Sequence, residues 1–239
     1  MAVPYQYLQI EKKEQVRQMF NNIAPKYDLL NNVLSAGVDK IWRKNAINEL
    51  AKNHPKKILD VATGTGDFAI AALSINPESI VGVDISVGML EKGNEKLKRL
   101  QLESKIELKE ADSENLPFAE NSFDACTVAF GVRNFGNLQK GLSEINRVLN
   151  KGGVLIVLEF SQPQNKIFAA LYSFYFKNIL PLIGKIVSKD FSAYKYLYES
   201  VQEFPFGKAF EAELTKAGFS STAAMPQTMG ICTIYKAVK

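Results

Sequence analysis

The stretch KILDVATGTGDFAIAALSINPESIVGVD, from Lys57 to Asp84, decides the fold of this chain. Its short apolar run from Ile58 to Val61 leads into a glycine-containing loop. An alanine-rich segment then follows with helical spacing, and a second β-branched run ends at Asp84. This order predicts a strand, a tight turn, a helix and a second strand, which together make one βαβ unit of a parallel sheet. Residues 57–84 therefore indicate an α/β fold.

Two glycines and one acidic residue indicate what this unit binds. Gly64 and Gly66 let the chain turn sharply, and they let a ligand approach the backbone where a Cβ would collide. Asp84 ends the second strand, a position from which a carboxylate can accept hydrogen bonds from both hydroxyls of a ribose. The unit therefore predicts a cofactor that contains a ribose and an adenine.

The rest of the chain continues the alternation of strands and helices. Further apolar or β-branched runs predict strands at 106–110, 123–130, 154–160, 219–223 and 231–237. Too few residues join the last two strands for a crossover helix, so these strands should form an antiparallel hairpin. The prediction is a sheet of seven strands, five of them parallel, that ends in a hairpin.

Three helical features accompany these strands. Residues 11–50 predict helices that break at Ala24-Pro25 and cap the sheet, with Trp42 packing one of them on the core. Residues 137–153 predict a helix that ends at the paired glycines Gly152 and Gly153. Residues 161–218 are expected to form one long, aromatic-rich insertion.

Composition favours a single domain over 1–239 in a reducing, cytoplasmic setting. The 239 residues are 46% hydrophobic, which is enough for a full core. Cys126 lies in an apolar run and Cys232 near the far terminus, so no disulfide framework is expected. The first residues resemble neither a signal peptide nor a membrane span, and no group of His, Cys and acidic residues has metal-ligand spacing.

The glycine motif alone does not choose between cofactors. Gly64, Gly66 and Ala69, with an acid twenty residues after Gly64, also satisfy the dinucleotide fingerprint, so NAD stays open at this point. Three features disfavour it: the C-terminal hairpin, Asp60 inside the first strand where it could meet a cofactor amine, and Asp112 after the third strand where it could accept from an adenine amine.

Longer motifs resemble a known class of enzymes. DVATGTGD, VGVDIS, ADSENLPF and LNKGGVL resemble the successive motifs of class I S-adenosylmethionine-dependent methyltransferases. VRQMFNNIAPKYDLLNNVLS, FGVRNF, LEFSQP and YFKNILPLIGKIVSKDFSAYKYLYESVQEFP further resemble the UbiE/MenG family of quinone C-methyltransferases, and together they cover nearly the whole chain. The resemblance implies a Rossmann-like sheet with helices on both faces, and methyl transfer to a ring carbon of a demethylated quinol such as demethylmenaquinol.

The resemblance also implies which residues bind S-adenosyl-L-methionine. By motif, Thr65, Asp84, Asp112 and Ser113 would contact it, and Asp60, Gly64 and Gly66 complete the expected cofactor site.

Transfer to a quinol carbon requires loss of a phenolic proton, which usually involves a histidine. The only histidine, His54, precedes the first strand, at the wrong end of a parallel sheet for chemistry. The remaining candidates are Arg133, Asn134, Glu159 and Tyr27, all expected to face the cofactor cleft. Arg133 would stabilise a developing phenolate or order a water that accepts the proton, because arginine does not readily deprotonate. Alternatively, it bridges a loop carboxylate.

Other functions stay open. A methyltransferase acting on RNA or protein is disfavoured by AFGVRN after the fourth strand, where amino-group methyltransferases often carry an Asn/Asp-Pro-Pro-aromatic sequence. A catalytically silent cofactor-binding subunit is a further alternative. The sequence favours a naphthoquinol over a benzoquinol only weakly, and it leaves the oligomeric state open, a homo-oligomer included.

Charge and aromatic residues concentrate in the insertion. Residues 161–198 hold five lysines, one acid and nine of the 25 aromatic residues, and thus the entire net charge of +4, whereas the rest of the chain is balanced and does not indicate nucleic acid. Residues 167–187 are apolar at fifteen of 21 positions, but two lysines, a proline and a glycine interrupt them, which argues against a membrane span. The segment predicts peripheral contact with an anionic inner membrane face, a helical cover of a quinol pocket, or both.

Overall fold

The computed structural model describes residues 2–35, 37–163, 165 and 191–239. Within them, the helices and strands alternate along the chain as the sequence predicts. The helices are α1 (Lys12–Ile23), α2 (Tyr27–Ser35), α3 (Val38–Ala51), α4 (Asp67–Ala72), α5 (Val87–Leu100), α6 (Leu138–Val148), α7 (Phe191–Glu203) and α8 (Lys208–Lys216). The strands are β1 (Lys57–Val61), β2 (Ser79–Asp84), β3 (Ile106–Glu110), β4 (Phe123–Ala129), β5 (Leu149–Phe160), β6 (Ser221–Gln227) and β7 (Cys232–Val238).

All seven strands lie in one sheet of order β3-β2-β1-β4-β5-β7-β6. Strands β1 to β5 are parallel, and β7 runs antiparallel between β5 and β6. This confirms the predicted sheet with its C-terminal hairpin. Both hairpin strands begin and end later than predicted. Strand β6 continues through Pro226, because an edge strand tolerates a residue without an N–H.

Apolar clusters cover both faces of the sheet. Successive residues of β4 and β5 lie in opposite clusters, as Ala125 and Cys126 do. Both faces of these central strands are therefore buried, which explains why they are continuous apolar runs. Trp42 of α3 is buried against Phe130 and Phe160, which confirms its predicted packing role. Both cysteines are buried and unbridged, and His54 is exposed before β1.

The predicted end of the helix at 137–153 is wrong. Helix α6 ends at Val148, and Leu149 already pairs with Phe123 as the first residue of β5. The glycine pair lies inside β5, where Gly152 adopts a positive φ of 76° and Gly153 packs too closely against the carbonyl of Asn150 to carry a Cβ. The glycines therefore mark an irregularity in the strand, and not a helix C-terminus.

Helices α1 and α2 form an N-terminal cap beside the carboxyl ends of the parallel strands, whereas α3 packs on one face of the sheet through Trp42 and Ile47. The predicted break at Ala24-Pro25 is a single 3-10 turn between α1 and α2. Helix α1 approaches α5 so closely that a Cβ on Gly88 would lie 3.3 Å from the Cα of Asn21. The other side of α1 packs with α7 through buried Met19 and Tyr196.

Candidate functional site

A cleft opens where β1, β2, β3 and β4 end. Side chains of the N-terminal cap, the strand ends and the loop after β4 line it: Lys13, Val16, Phe20, Tyr27, Val61, Ala62, Gly64, Asp84, Ile85, Met89, Ala111, Asp112, Ser113, Glu114, Ala129, Phe130, Gly131, Asn134, Phe135 and Gly136. Open α/β sheets bind ligands outside the carboxyl ends of their strands. The topology therefore places the cleft where a cofactor is expected.

The loop of residues 62–66, here called the glycine loop, is fixed to Asp84. The Gly64 N–H donates to Asp84 Oδ2 and the Ser86 N–H donates to Asp84 Oδ1, each at 2.8 Å. Gly64 and Gly66 have φ values of 58° and 82°, the left-handed region that favours glycine. Burial raises the pKa of the Asp84 carboxyl, while the amide donors oppose this shift. The loop thus presents a rigidly held carboxylate to the cleft.

Asp60 lies beneath the glycine loop and does not line the cleft. The residue is 1% exposed, and the hydroxyls of Thr63 and Thr127 donate to its two carboxylate oxygens at 2.6 Å each. Burial raises the pKa of the Asp60 carboxyl to about 6. This carboxylate supports the loop from below, and its predicted contact with a cofactor amine stays a prediction.

Thr65 points away from the cleft and links the glycine loop to the N-terminal cap. Its buried hydroxyl donates to Asp28 Oδ1 at 2.6 Å and accepts from Lys96 Nζ at 2.9 Å. A contact of Thr65 with the cofactor stays a prediction. Because the Thr65 hydroxyl is bound to Asp28 and Lys96, such a contact would involve the Thr65 backbone. Sequence reasoning did not find Lys96, because it lies on α5, far along the chain from the residues it contacts.

Asp112 and Ser113 line the opposite side of the cleft, after β3. Asp112 Oδ2 pairs with Lys13 Nζ of α1 at 2.7 Å, and Asp112 Oδ1 accepts the N–H of Glu114 at 2.9 Å. Sequence reasoning missed Lys13 and the buried Glu114, which accepts the N–H of Asn137 before α6. A lysine in the polar stripe of a helix carries no signal of such a partner.

Arg133 and Glu159 do not face the cleft as predicted. They form a buried ion pair, with Nη1 and Oε1 2.7 Å apart and side chains only 7% and 0% exposed. The same nitrogen donates to the Phe130 carbonyl, and the guanidinium lies 5.5 Å from the centre of the Phe160 ring. Burial raises the pKa of the Glu159 carboxyl, although Arg133 opposes this shift. The geometry matches the alternative in which Arg133 bridges a carboxylate, here on a strand.

Asn134 and Tyr27 do line the cleft. The Asn134 amide donates to the Phe130 carbonyl at 3.3 Å and accepts the Tyr196 hydroxyl of α7 at 3.0 Å. Burial raises the pKa of the Tyr27 hydroxyl and that of Tyr196, so both phenols are neutral. Of the predicted catalytic residues, the structure brings Asn134 and Tyr27 to one cleft and leaves Arg133 behind its wall.

The loop after β4 depends on a half-buried lysine that sequence reasoning also missed. Lys12 Nζ donates to the carbonyls of Arg133 and Phe135 at 3.0 and 3.1 Å. Burial lowers the pKa of Lys12. Helix α1 therefore shapes this loop as well as the side of the cleft at Asp112.

The described residues fit a nucleoside cofactor. Gly64 has no Cβ at the cleft, Asp84 and Asp112 supply carboxylate acceptors, and Ile85 and Met89 supply apolar walls suited to a heterocyclic base. In this part of the chain, no three His, Cys, Asp or Glu side chains lie close enough to hold a metal ion. Likewise, no helix among the described residues is long and apolar enough to cross a membrane.

The sheet order, the glycine loop and the carboxylate at the end of β2 define a class I methyltransferase fold. The model of the ubiE/COQ5 methyltransferase family matches residues 8–239. The chain belongs to this family, which confirms the predicted family and enzyme class.

Individual similarities agree with this assignment. A demethylmenaquinone methyltransferase of Bacteroides fragilis is 49% identical over 230 residues, which are 96% of this chain and 94% of that protein. The ubiquinone/menaquinone biosynthesis C-methyltransferase UbiE of Geobacter sulfurreducens is 46% identical over 235 residues, 98% of this chain and 91% of that protein. A crystal structure of an S-adenosylmethionine-dependent methyltransferase of Thermotoga maritima, a possible histamine N-methyltransferase, superimposes with a TM-score of 0.66 at 18% identity, covering 94% of this chain and 99% of that one. At that identity, the superposition supports the fold alone.

Proposed function

We propose that this chain transfers a methyl group from S-adenosyl-L-methionine to a ring carbon of demethylmenaquinol, a step of menaquinone biosynthesis. The observation that carries the proposal is the 49% identity, over 96% of the chain, to a relative named demethylmenaquinone methyltransferase. The cleft at the strand ends supports it, because its residues suit a nucleoside cofactor next to an aromatic and apolar wall.

In this proposal, the cofactor site is built on Asp84, Asp112, Ser113 and the backbone of the glycine loop. Asp84 binds the ribose hydroxyls and Asp112 accepts from the adenine amine, since both carboxylates reach the cleft. Asp60 and Thr65 hold the loop in shape from outside the cleft. S-adenosyl-L-methionine supplies a methyl group already activated on a sulfonium, so holding the acceptor carbon in line supplies much of the acceleration.

The wall formed by Tyr27 and Asn134 holds the quinol. Both side chains line the cleft and are neutral, so they act as hydrogen-bond partners for the ring hydroxyls and orient the nucleophilic carbon. Arg133 acts indirectly, because Nη1 of its guanidinium is bound to Glu159 and to the Phe130 carbonyl, and the buried Nε has no hydrogen-bond partner among the described residues. It holds in place the loop that carries Asn134.

The substrate is lipophilic, and we infer peripheral contact with an anionic membrane surface as the route by which the protein reaches it. The support is the composition of residues 161–198, with its lysines and aromatic side chains. The stretch predicted for this contact, residues 167–187, lies outside the residues that the structure describes.

Quinone profiling of a deletion strain tests the function. We expect demethylmenaquinone to accumulate, and expression of this chain to restore menaquinone. Accumulation of a demethylated benzoquinone would instead assign the ubiquinone pathway. An unaltered quinone pool would overturn the proposal.

A further inference from the structure

The N-terminal cap contacts the loop that follows each of the first three strands. Lys13 pairs with Asp112 after β3, Asn21 Oδ1 accepts from Ser86 after β2, and Asp28 accepts from Thr65 in the glycine loop after β1. These three loops carry the proposed cofactor-binding groups. The cap is therefore part of the site, and the question is which of its residues sets the site's shape.

Asp28 is the cap residue that contacts the glycine loop, and each of its two carboxylate oxygens has a partner. Its Oδ1 accepts the Thr65 hydroxyl at 2.6 Å, and its Oδ2 lies 2.6 Å from Lys96 Nζ. Lys96 also pairs with Asp67 at 2.6 Å and donates to the Thr65 hydroxyl. Lys96 is only 11% exposed, whereas Asp28 is 45% exposed. A half-exposed carboxylate on the cap thus joins a largely buried lysine that also contacts Thr65 and Asp67, the two residues that flank Gly66.

The position of Asp28 in the chain connects this cluster to the cleft. Asp28 follows Tyr27, the first residue of α2, and Tyr27 lines the cleft. A Cβ placed on Gly64 would lie 3.9 Å from Tyr27 Cε1, so the Tyr27 ring packs directly over the glycine loop. Whatever holds Asp28 on Thr65 and Lys96 therefore also sets where Tyr27 stands relative to Gly64.

We propose that Asp28 is a positioning residue of the cofactor site: its ion pair with Lys96 and its hydrogen bond from Thr65 hold α2 against the glycine loop and place Tyr27 in the cleft wall. This inference rests on the proposed cofactor site. It also gives Thr65 a function between its two glycines, as the attachment point for the cap.

Calorimetric binding of S-adenosyl-L-methionine tests the proposal in four proteins: wild type, Asp28→Asn, Lys96→Met and the double variant. Each single substitution should weaken binding about tenfold, which corresponds to about 1.4 kcal/mol. The double variant should be no more than about threefold weaker than Lys96→Met, because Lys96→Met already removes the ion pair with Asp28 along with the contacts of the lysine with Asp67 and Thr65. Lys92→Met is the matched control. Lys92 is also on α5, but within the described part of the chain its one ion pair is with the exposed Glu95, so the variant should bind S-adenosyl-L-methionine with the wild-type affinity.

Thermal unfolding of the same proteins separates positioning from general support. A purely structural Asp28 would lower the melting temperature while the folded variant bound the cofactor normally, and that result would overturn the inference. Additive losses in the double variant would also overturn it. If Asp28→Asn does not fold, Lys96→Met decides together with Asp67→Asn, which breaks the other ion pair of the lysine and should keep the wild-type affinity. Failure of the wild type to bind would overturn the proposed cofactor site and this inference with it, whereas wild-type binding that ignores Asp28 would overturn only the inference.

Discussion

Replacing Arg133 with alanine is expected to destabilise the fold, because the substitution leaves the Glu159 carboxylate buried without its charged partner. The pair is nearly inaccessible, and Glu159 Oε1 also accepts the N–H of Phe160 at 2.8 Å. Among the contacts of the described residues, Arg133 is the only cationic partner of Glu159.

The magnitude follows from the burial. Removing one partner of a buried ion pair costs about 3 to 5 kcal/mol. For a chain of this length, each kcal/mol lowers the melting temperature by about 2 to 4 °C, so the expected loss is roughly 6 to 20 °C. Because burial already raises the pKa of Glu159, the unpaired carboxyl should take up a proton as the pH falls, and the loss should then shrink.

Thermal unfolding at neutral and mildly acidic pH measures this effect. Arg17→Ala is the matched control, since Arg17 pairs with Glu14 in a half-exposed pair whose removal should cost less than about 1 kcal/mol. The double variant Arg133→Met with Glu159→Gln removes both charges and should recover much of the stability. An Arg133→Ala protein with the wild-type melting temperature but no turnover would refute this reasoning and restore a direct catalytic role for Arg133.

Three further results are expected. Asp84→Ala should weaken cofactor binding by more than about tenfold in calorimetry, since a charge-assisted hydrogen bond contributes roughly 1.5 to 3 kcal/mol. In denaturant titrations, the stability contribution of Asp60 should be fully present below pH 3.8 and be lost as the pH rises towards about 6, because its carboxyl pKa is raised on folding; Asp60→Asn should remove this dependence. The protein should co-sediment with anionic vesicles at low salt. Glutamate substitutions at Lys177, Lys185 and Lys189 should abolish this vesicle binding while sparing activity on a detergent-soluble short-chain quinol.

Each of these expectations has a contrary outcome. Unchanged cofactor affinity in Asp84→Ala would contradict the assignment of the βαβ unit as a ribose site. Identical pH dependence of unfolding in the wild type and Asp60→Asn would show that Asp60 does not carry the raised pKa. Vesicle binding that ignores both salt and the three substitutions would leave residues 167–187 as a pocket cover only.

Local patterns predicted the parts of the fold that depend on neighbouring residues. Alternating strand and helix periodicity predicted the sheet, and the spacing of Gly64 and Asp84 predicted that both reach one cleft. The end of α6 was mispredicted, because pairing of Leu149 with Phe123 across the sheet outweighs the local helix-stop signal of the glycines.

Long-range partners were not predictable from the sequence. Arg133 follows strand β4, and its side chain was expected at the cleft. The side chain instead points to Glu159, which lies 26 residues later on β5. Lys96 and Asp28 each look like ordinary surface charges of amphipathic helices until the fold brings them to Thr65. Pairings of this kind depend on how the helices pack, and no spacing in the chain encodes them.

The most direct test of the central claim is methyl transfer by the purified protein from S-adenosyl-L-methionine with a deuterated methyl group to a short-chain demethylmenaquinol. Mass spectrometry with fragmentation then locates the label. The proposed function predicts a deuterated methyl group on the ring carbon of the naphthoquinol, and no product without the cofactor. Binding of the cofactor without transfer, or label on a ring oxygen, would contradict it.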